Sequence, residues 1–282
     1  MLTFQEFITE GLLEEKLITF GDKAYPKFGH VVLLAGGAGS GKGFVLENLM
    51  GIEGRVLDVD ELKSLSMRTE KVRQRVKDKT GHDIAGLDMS RPENVSLLHQ
   101  LIGDEFQLPD KRQRALYASV LAAKPERKPN IIFDVTLKDL RKLNNLTEST
   151  RGIGYDPKNI HIVWVINDIQ VAMDQNVKRD RVVPEDILID THEGASRTMN
   201  KLVSGAVDVT KYMDGQITFV FNKAHVDTQL VKSEHGGQYI EDAFYVNVKE
   251  QGKPPIGVDQ MNKEVIKRIQ AYTPRIDYSW DS

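Results

Sequence analysis

The sequence predicts an α/β fold with a largely parallel sheet, helices on both faces and a helical insert. Three observations support this: short apolar runs alternate with helical patterns, a glycine-rich turn follows the first run, and 282 residues suffice for a buried core. Hydrophobic residues make up 40% of the chain and charged residues 28%, the balance of an ordinary globular protein. The composition therefore argues against disordered, collagen-like and membrane-spanning proteins.

Several classes of site are excluded by what the chain lacks. It has no cysteine, which excludes disulfide scaffolds, thiolate zinc sites, iron–sulfur clusters and cysteine nucleophiles. The net charge of −3 excludes a polycation that coats nucleic acid. No apolar run is long enough to cross a bilayer, so we expect no membrane partner.

Five strands are predicted where apolar runs are bounded by turn residues. They cover residues 31–35, 55–58, 130–134, 161–166 and 217–221. The helix after the first strand should run through Met50, and Thr136 should cap the helix after the third. Beyond the fifth strand, residues 239–248 suggest an edge hairpin and residues 262–271 a last helix.

The predicted organisation has three parts: an N-terminal leader or helix at 1–27, a core at 28–225 and a C-terminal extension at 226–282. Residues 64–128 do not fit the alternation and should form a helical insert. From Lys63 to Lys128 there are 14 Lys or Arg and nine Asp or Glu residues, an excess of five positive charges. Because the whole chain is acidic, this asymmetry predicts that the insert holds an anionic acceptor.

The strongest motif follows the first strand and opens a helix. It reads Gly36-Gly37-Ala38-Gly39-Ser40-Gly41-Lys42. Glycines let successive backbone amides point inward at phosphate oxygens, the helix N-terminus adds positive potential, and Lys42 adds a full charge. This is the context and spacing of a P-loop, so we predict a P-loop NTPase fold that binds a nucleoside triphosphate.

The motif departs from the common P-loop at its end, because Gly43 and Phe44 replace the usual magnesium-binding hydroxyl residue. The loop resembles the GKG form of nucleotide kinases without its threonine. Ser40 carries the hydroxyl inside the loop, and a magnesium ion held mostly by water and carboxylates would fit this sequence.

The second strand ends in Asp58-x-Asp60-x-x-Lys63. In this order after the P-loop, the motif resembles the zeta-toxin and polynucleotide-kinase group, which has Asn/Asp-x-Asp-x-x-Arg at this point. The resemblance covers residues 28–225 and implies that Asp60 activates an acceptor hydroxyl while Lys63 replaces the arginine. Asp58 should lie beside it, pointing the same way in an extended segment. The alternative is an acid-rich turn.

Two further sites follow from the same resemblance, which implies ATP and Mg²⁺ as cofactors. Asp134, after the third strand, would help to place the metal through water, unless it only caps the next helix. The basic segment 176–184 resembles a lid whose Arg179 and Arg181 neutralise the transferring phosphoryl group. One of the two arginines would bind phosphate and the other would pair with Asp180 or Glu185; an exposed charged helix end is the alternative.

Three polar residues carry weaker signals. His30 and His192 are single histidines, which are more often structural than catalytic. Asn222 follows the fifth strand, where nucleotide kinases often read the base.

The first ten residues, MLTFQEFITE, resemble the leaders of internal head proteins of T-even-like phages. That resemblance implies cleavage after Glu10, packaging into the capsid, and otherwise a location in the host cytoplasm. The alternative is an ordinary N-terminal helix.

The expected function is transfer of the γ-phosphoryl group of ATP to a hydroxyl acceptor, on a nucleic acid or a nucleotide, with Arg73 and Arg75 of the insert binding that acceptor. Two alternatives stay open. Gly43, Phe44 and Lys63 also suit a nucleotide-binding virion or regulatory protein with little catalysis, and the GKG loop suits a nucleoside-monophosphate kinase.

Overall fold

The computed structural model describes residues 16–21, 25–232, 238–273 and 280, so residues 1–15 of the predicted leader at 1–27, with its cleavage point after Glu10, lie outside the described residues. Its centre is a six-stranded sheet in the order β2-β3-β1-β4-β5-β8. The first five strands in this order are parallel and β8 is antiparallel to β5. The strands are β1 Val31–Ala35, β2 Arg55–Asp58, β3 Ile131–Val135, β4 Ile160–Ile166, β5 Ile217–Phe221 and β8 Tyr245–Lys249.

The predicted α/β fold class is confirmed by this sheet and by the helices that flank it. All residues of β1, β4 and β5 are buried, as expected for parallel strands covered on both faces. One apolar core contains Leu33, Phe133 and Trp164, and the core on the other face contains Leu34 and Val163. The central position of β1 places the glycine-rich turn in the middle of the carboxyl edge, where open α/β sheets bind ligands.

Nine α-helices are described. Two predicted boundaries were wrong. The helix after β1 ends at Asn48 and not at Met50. The helix after β3 is capped by Asp139 and not by Thr136, because a left-handed Leu137 (φ 55°) separates Thr136 from the helix. Within the described ranges, no helix combines the length and apolarity that a bilayer span requires. The helices are α1 Lys42–Asn48, α2 Val59–Arg68, α3 Glu70–Thr80, α4 Pro92–His99, α5 Leu108–Leu121, α6 Leu140–Gly152, α7 Ile169–Asn176, α8 Glu185–Val203 and α9 Lys263–Tyr272.

The segment between β2 and β3 is helical and has its own small core. Val76, Ile84, Leu98 and Ile102 are fully or almost fully buried in this core. A π-helical turn, Gln100–Glu105, continues α4. The insert therefore packs around itself, while its first helix, α2, leads directly from the carboxyl edge of the sheet.

The region after β5 contains three strands, of which two form a separate small sheet and one joins the main sheet. The predicted hairpin at 239–248 was wrong: β7 Gln238–Ala243 pairs with β6 Thr228–Lys232, whereas β8 extends the main sheet. Only Phe244 separates β7 from β8, so the chain changes sheets there. Near the chain end, the Trp280 ring stacks on Trp164 of β4 with centroids 6.0 Å apart, and its Nε1 donates to Ser196 Oγ.

A histidine pair connects β4 with the residue before β1: His161 of β4 is fully buried, and His30 is half-buried. His161 Nδ1 accepts from the Gln216 amide, so Nε2 carries the proton and donates to His30 Nδ1 at 3.0 Å. Burial, and then His30 and Lys249, lower the pKa of His161 to about 3.

We expect this histidine to destabilise the fold as pH falls from 6.5 towards 3, because the unfolded chain then binds a proton that the native state excludes. The slope should reach about 1.4 kcal/mol per pH unit. Denaturant unfolding between pH 7 and 5 measures it, with His161→Asn as the comparison. An equal slope in both proteins would contradict this assignment.

Candidate active site

The glycine-rich turn between β1 and α1 requires its glycines. Gly39 and Gly41 have φ of 77° and 89°, in the left-handed region that side chains rarely adopt. A Cβ on Gly37 would lie 2.1 Å from the His192 ring, and one on Gly41 would lie 2.1 Å from Asn222 Nδ2. Two side chains from outside the loop therefore press against it, and only glycine leaves room for them.

Lys42 lies over the loop and against a carboxylate of the neighbouring strand. Its Nζ donates to Gly36 O at 3.0 Å and lies 3.4 Å from Gly37 O and from Asp134 Oδ1. Burial raises the pKa of Asp134 against the opposing charge of Lys42, and the carboxylates of Asp58 and Asp60 add to the rise. A cation placed here would relieve that repulsion between carboxylates.

Hydrogen-bonding groups of the loop remain available. Ser40 Oγ is buried without a hydrogen-bond partner in the described part of the chain. No hydrogen bond within those ranges uses the amides of Gly39 or Gly41. A Cβ on Gly43 would meet nothing within 4 Å. These donors suit anionic oxygens, and the missing hydroxyl at position 43 has no steric cause.

The two acids after β2 have different roles. Asp58 is the register partner of Asp134 and caps α2, its Oδ1 accepting the Asp60 amide at 2.7 Å. The expectation that both lie in an extended segment was wrong, because α2 begins at Val59 and places Asp60 in its first turn. The cap therefore fixes Asp58, whereas the Asp60 side chain is directed elsewhere.

Asp60 is held between two cations. Its Oδ2 accepts from Arg181 Nη2, and its Oδ1 lies 3.3 Å from Lys63 Nζ. Burial alone would raise the pKa of Asp60, but Arg181 and Lys63 outweigh it and lower the pKa to about 2. Burial also lowers the pKa of Lys63 despite its acidic neighbour. Asp60 is therefore ionised, and in this arrangement it is a weak proton acceptor.

The basic segment after α7 is fastened at both ends. Asn176 makes two hydrogen bonds to the backbone of Val183, at 2.7 and 3.0 Å. The Val182 amide donates to Met89 O of the insert at 3.0 Å. Arg181 pairs with Asp60 rather than with Asp180 or Glu185, so that expectation was wrong. Arg179 is exposed, and no described residue pairs with its side chain.

The acceptor residues predicted on the insert lie on α3. Arg73 is half-buried, and its Nε has no hydrogen-bond partner among the described residues. Arg75 is exposed beside Lys71 and Lys79 on a shallow surface that also carries acids. No hydrogen bond or ion pair within the described ranges connects either arginine with the loop, and their role stays a prediction.

The weakly signalled His192 and Asn222 both bind the loop. His192, 4% exposed, donates from Nε2 to Ala38 O at 2.8 Å, and its neighbour Thr191 accepts the Ala38 amide at 3.2 Å. Asn222 Nδ2 donates to Ser40 O at 3.0 Å. Both residues lie far from the motif along the chain, so no sequence spacing indicated that they contact the loop.

A cavity of about 200 Å³ lies beside His192 between α7 and α8. Its walls combine apolar and polar side chains: Ile169, Gln170, Met173, Glu185, Ile189, His192, Glu193 and Thr273. The described residues contain no group of three or more His, Cys, Asp or Glu that could hold a metal ion.

No protein-family model and no curated protein matches this chain. Among solved structures, the AvrRxo1-ORF1:-ORF2 complex with ATP is similar, with 10% identity and a TM-score of 0.47 over 90% of this chain. The PezAT toxin–antitoxin system of Streptococcus pneumoniae has 13% identity and a TM-score of 0.39, covering 78% of this chain and 77% of that one. This chain spans 66% of the AvrRxo1 chain.

Proposed function

We propose that this protein transfers the γ-phosphoryl group of ATP to a hydroxyl acceptor. The observation that carries the proposal is the group of charged side chains gathered at the carboxyl edge of the sheet. Lys42 lies on the glycine loop and against Asp134, Asp134 neighbours Asp58, and Asp60 meets Arg181 from the basic segment. Phosphoryl transfer requires hydrogen-bond donors for the phosphate oxygens, carboxylates, and an arginine side chain long enough to reach the transferring group.

The phosphates would be held by the loop from Gly36 to Gly43, with Phe44 following on α1. The unused amides, the buried hydroxyl of Ser40 and the ammonium of Lys42 fit a polyphosphate. Asp134 suits a hydrated Mg²⁺, which when bound supplies positive charge to the transferring group. The carboxylate repulsion at Asp134 supports this assignment.

Asp60 and Arg181 would act on the acceptor and on the transferring group. With Arg181 turned from Asp60 to the phosphates, the pKa of Asp60 would rise, and its carboxylate could accept a hydrogen bond and a proton from the attacking hydroxyl. Lys63 would stay with Asp60 and orient it. Arg179, exposed on the same segment, would join Arg181 at the phosphoryl group.

Transfer of labelled γ-phosphate to a panel of acceptors tests the proposal: nucleic-acid ends, modified bases in DNA, nucleotide sugars, mononucleotides and proteins. Label on any one of them that requires Lys42 would support it. A protein that binds ATP but labels none of them would be a nucleotide-binding protein with little catalysis. The resting Arg181–Asp60 pair and the missing hydroxyl at position 43 favour this second candidate.

The charge of the insert makes a separate prediction about the acceptor. Reversal of Arg73, Arg75 and Lys77 to Glu should weaken binding of a polyanionic acceptor, because each Lys or Arg that contacts a phosphate releases condensed counterions and so adds affinity. ATP affinity should stay within about twofold of the parent. Acceptor affinity of the parent should also fall steeply with salt. Titrations at several salt concentrations measure both effects. Affinity that does not change with salt would identify a small or neutral acceptor instead.

A further inference from the structure

Two carbonyl groups of the glycine loop are hydrogen-bonded by side chains from distant elements. His192 of α8 donates to Ala38 O at 2.8 Å, and Asn222, directly after β5, donates to Ser40 O at 3.0 Å. Asn222 is itself oriented by Thr228, whose Oγ1 lies 3.3 Å from Asn222 Oδ1. The loop is thus fastened from two sides, by the helix after the basic segment and by the sheet.

These bonds determine where the following amides point. In a trans peptide, the carbonyl of one residue and the N–H of the next point in opposite directions within one plane. With Ala38 O turned to His192, the Gly39 amide points away from it. With Ser40 O turned to Asn222, the Gly41 amide does the same. Neither of these two amides has a hydrogen-bond acceptor in the described part of the chain.

The close approach at both contacts leaves the loop little freedom. Carbons added at Gly37 and Gly41 would meet His192 and Asn222 at 2.1 Å. Lys42 also draws Gly36 O to itself, and the Ser40 amide closes a turn on Gly37 O at 3.2 Å. The Gly39 and Gly41 amides are therefore preorganised before a ligand arrives, which lowers the entropic cost of binding.

We infer that His192 and Asn222 are positioning residues of the phosphate site, each aiming one loop amide, Gly39 and Gly41 respectively, at a polyphosphate. This inference rests on the proposed function, because it assigns the supporting residues of the same site. It gives His192 and Asn222 a role in anion affinity and none in proton transfer or base recognition.

The test compares His192→Leu and Asn222→Leu with the parent, with inorganic tripolyphosphate and ATP as probes. Each variant loses one donor to the loop, so one amide is no longer aimed. Calorimetry should show affinity for both probes falling roughly 10- to 100-fold, the range for one hydrogen bond to a charged group. His192→Gln, which keeps an N–H donor, should recover much of the loss.

A residue-specific readout separates positioning from general stability. In ¹⁵N-labelled parent protein, tripolyphosphate should shift the Gly39 and Gly41 amide signals strongly. Asn222→Leu should lose the Gly41 shift and keep that of Gly39, and His192→Leu should do the reverse. Thr228→Val is the matched control: it removes the outer hydrogen bond of Asn222 and keeps its contact with Ser40, so affinity should change less than about threefold.

Each outcome has a distinct meaning. Parent protein that binds neither probe would overturn the proposed function together with this inference. Parent protein that binds tripolyphosphate, with both leucine variants binding equally well, would overturn the inference alone. Equal loss in Thr228→Val and Asn222→Leu would also overturn it, because affinity would then follow packing around β5. If His192→Leu does not fold, Asn222→Leu and its Gly41 signal decide the question.

Discussion

Replacing Asp60 with Asn should slow phosphoryl transfer by about 10²- to 10⁴-fold, the range for loss of a positioned general base. The amide keeps the shape of the side chain but cannot accept the acceptor's proton. Affinity for ATP should change little, because Asp60 contacts Arg181 and Lys63 rather than the loop. Single-turnover rates at saturating ATP measure the effect on transfer without that of binding.

The matched control for this variant is Asp58→Asn, two residues earlier. Asp58 caps α2 through the Asp60 amide, and Asn caps a helix about as well as Asp, so its replacement should change the free energy of unfolding by less than about 0.5 kcal/mol and slow transfer less than Asp60→Asn does. With Arg181 in place, the pKa of Asp60 is about 2, so the profile of kcat/KM, which reports the free enzyme, should show no limb from Asp60 between pH 5 and 9. If Asp60→Asn transfers phosphate at the parent rate, the base is Asp58 or Asp134.

Lys42→Ala should weaken binding of ATP and of tripolyphosphate by about 10²- to 10⁴-fold, since an ammonium makes two or more charged hydrogen bonds to phosphates. The fold should survive, because Lys42 lies on the loop surface, 15% exposed, and supports no apolar core. Its loss removes the partner of Asp134, which should raise the pKa of that carboxyl further. Calorimetric titration measures the affinity.

Lys267→Ala supplies the comparison, because this lysine is exposed on α9 and has no contact with the loop. It should bind both ligands as the parent does. Unfolding midpoints of the two variants show whether any loss is one of stability. Parent-like affinity in Lys42→Ala would remove the phosphate-binding assignment and, with it, the proposed function.

The parts of the fold that depend on residues close together in the sequence could be predicted. Four of the five parallel strands, β1, β3, β4 and β5, are predominantly apolar runs, and β1 with the motif from Gly36 to Lys42 gives a strand, a glycine turn and a helix start within 12 residues. Helix ends were less certain, since Asp139 and Thr136 are both capable caps. The strained backbone at Leu137 decides between them, and nothing in the local sequence indicates it.

Contacts between distant residues could not be predicted. Arg181 and Asp60 are 121 positions apart, and Asn222 reaches Ser40 across 182 positions. Each pair depends on strand order, which periodicity does not give. The pairing of β7 with β6 and of β8 with β5 could not be predicted for the same reason. In the sequence both runs look like strands of one hairpin, and the pairing of β8 depends on the edge of the main sheet at β5.

The stacked pair of Trp164 and Trp280 has a practical consequence. These are the only tryptophans in the sequence, and both are buried, so the tryptophan fluorescence of the protein comes from one site in its interior. One ring belongs to a central strand and the other to the last residues of the chain. Release of Trp280 would expose its indole to water and uncover one face of the Trp164 ring, which should shift the emission to the red. The molecule therefore contains an optical reporter of whether Trp280 is docked on β4.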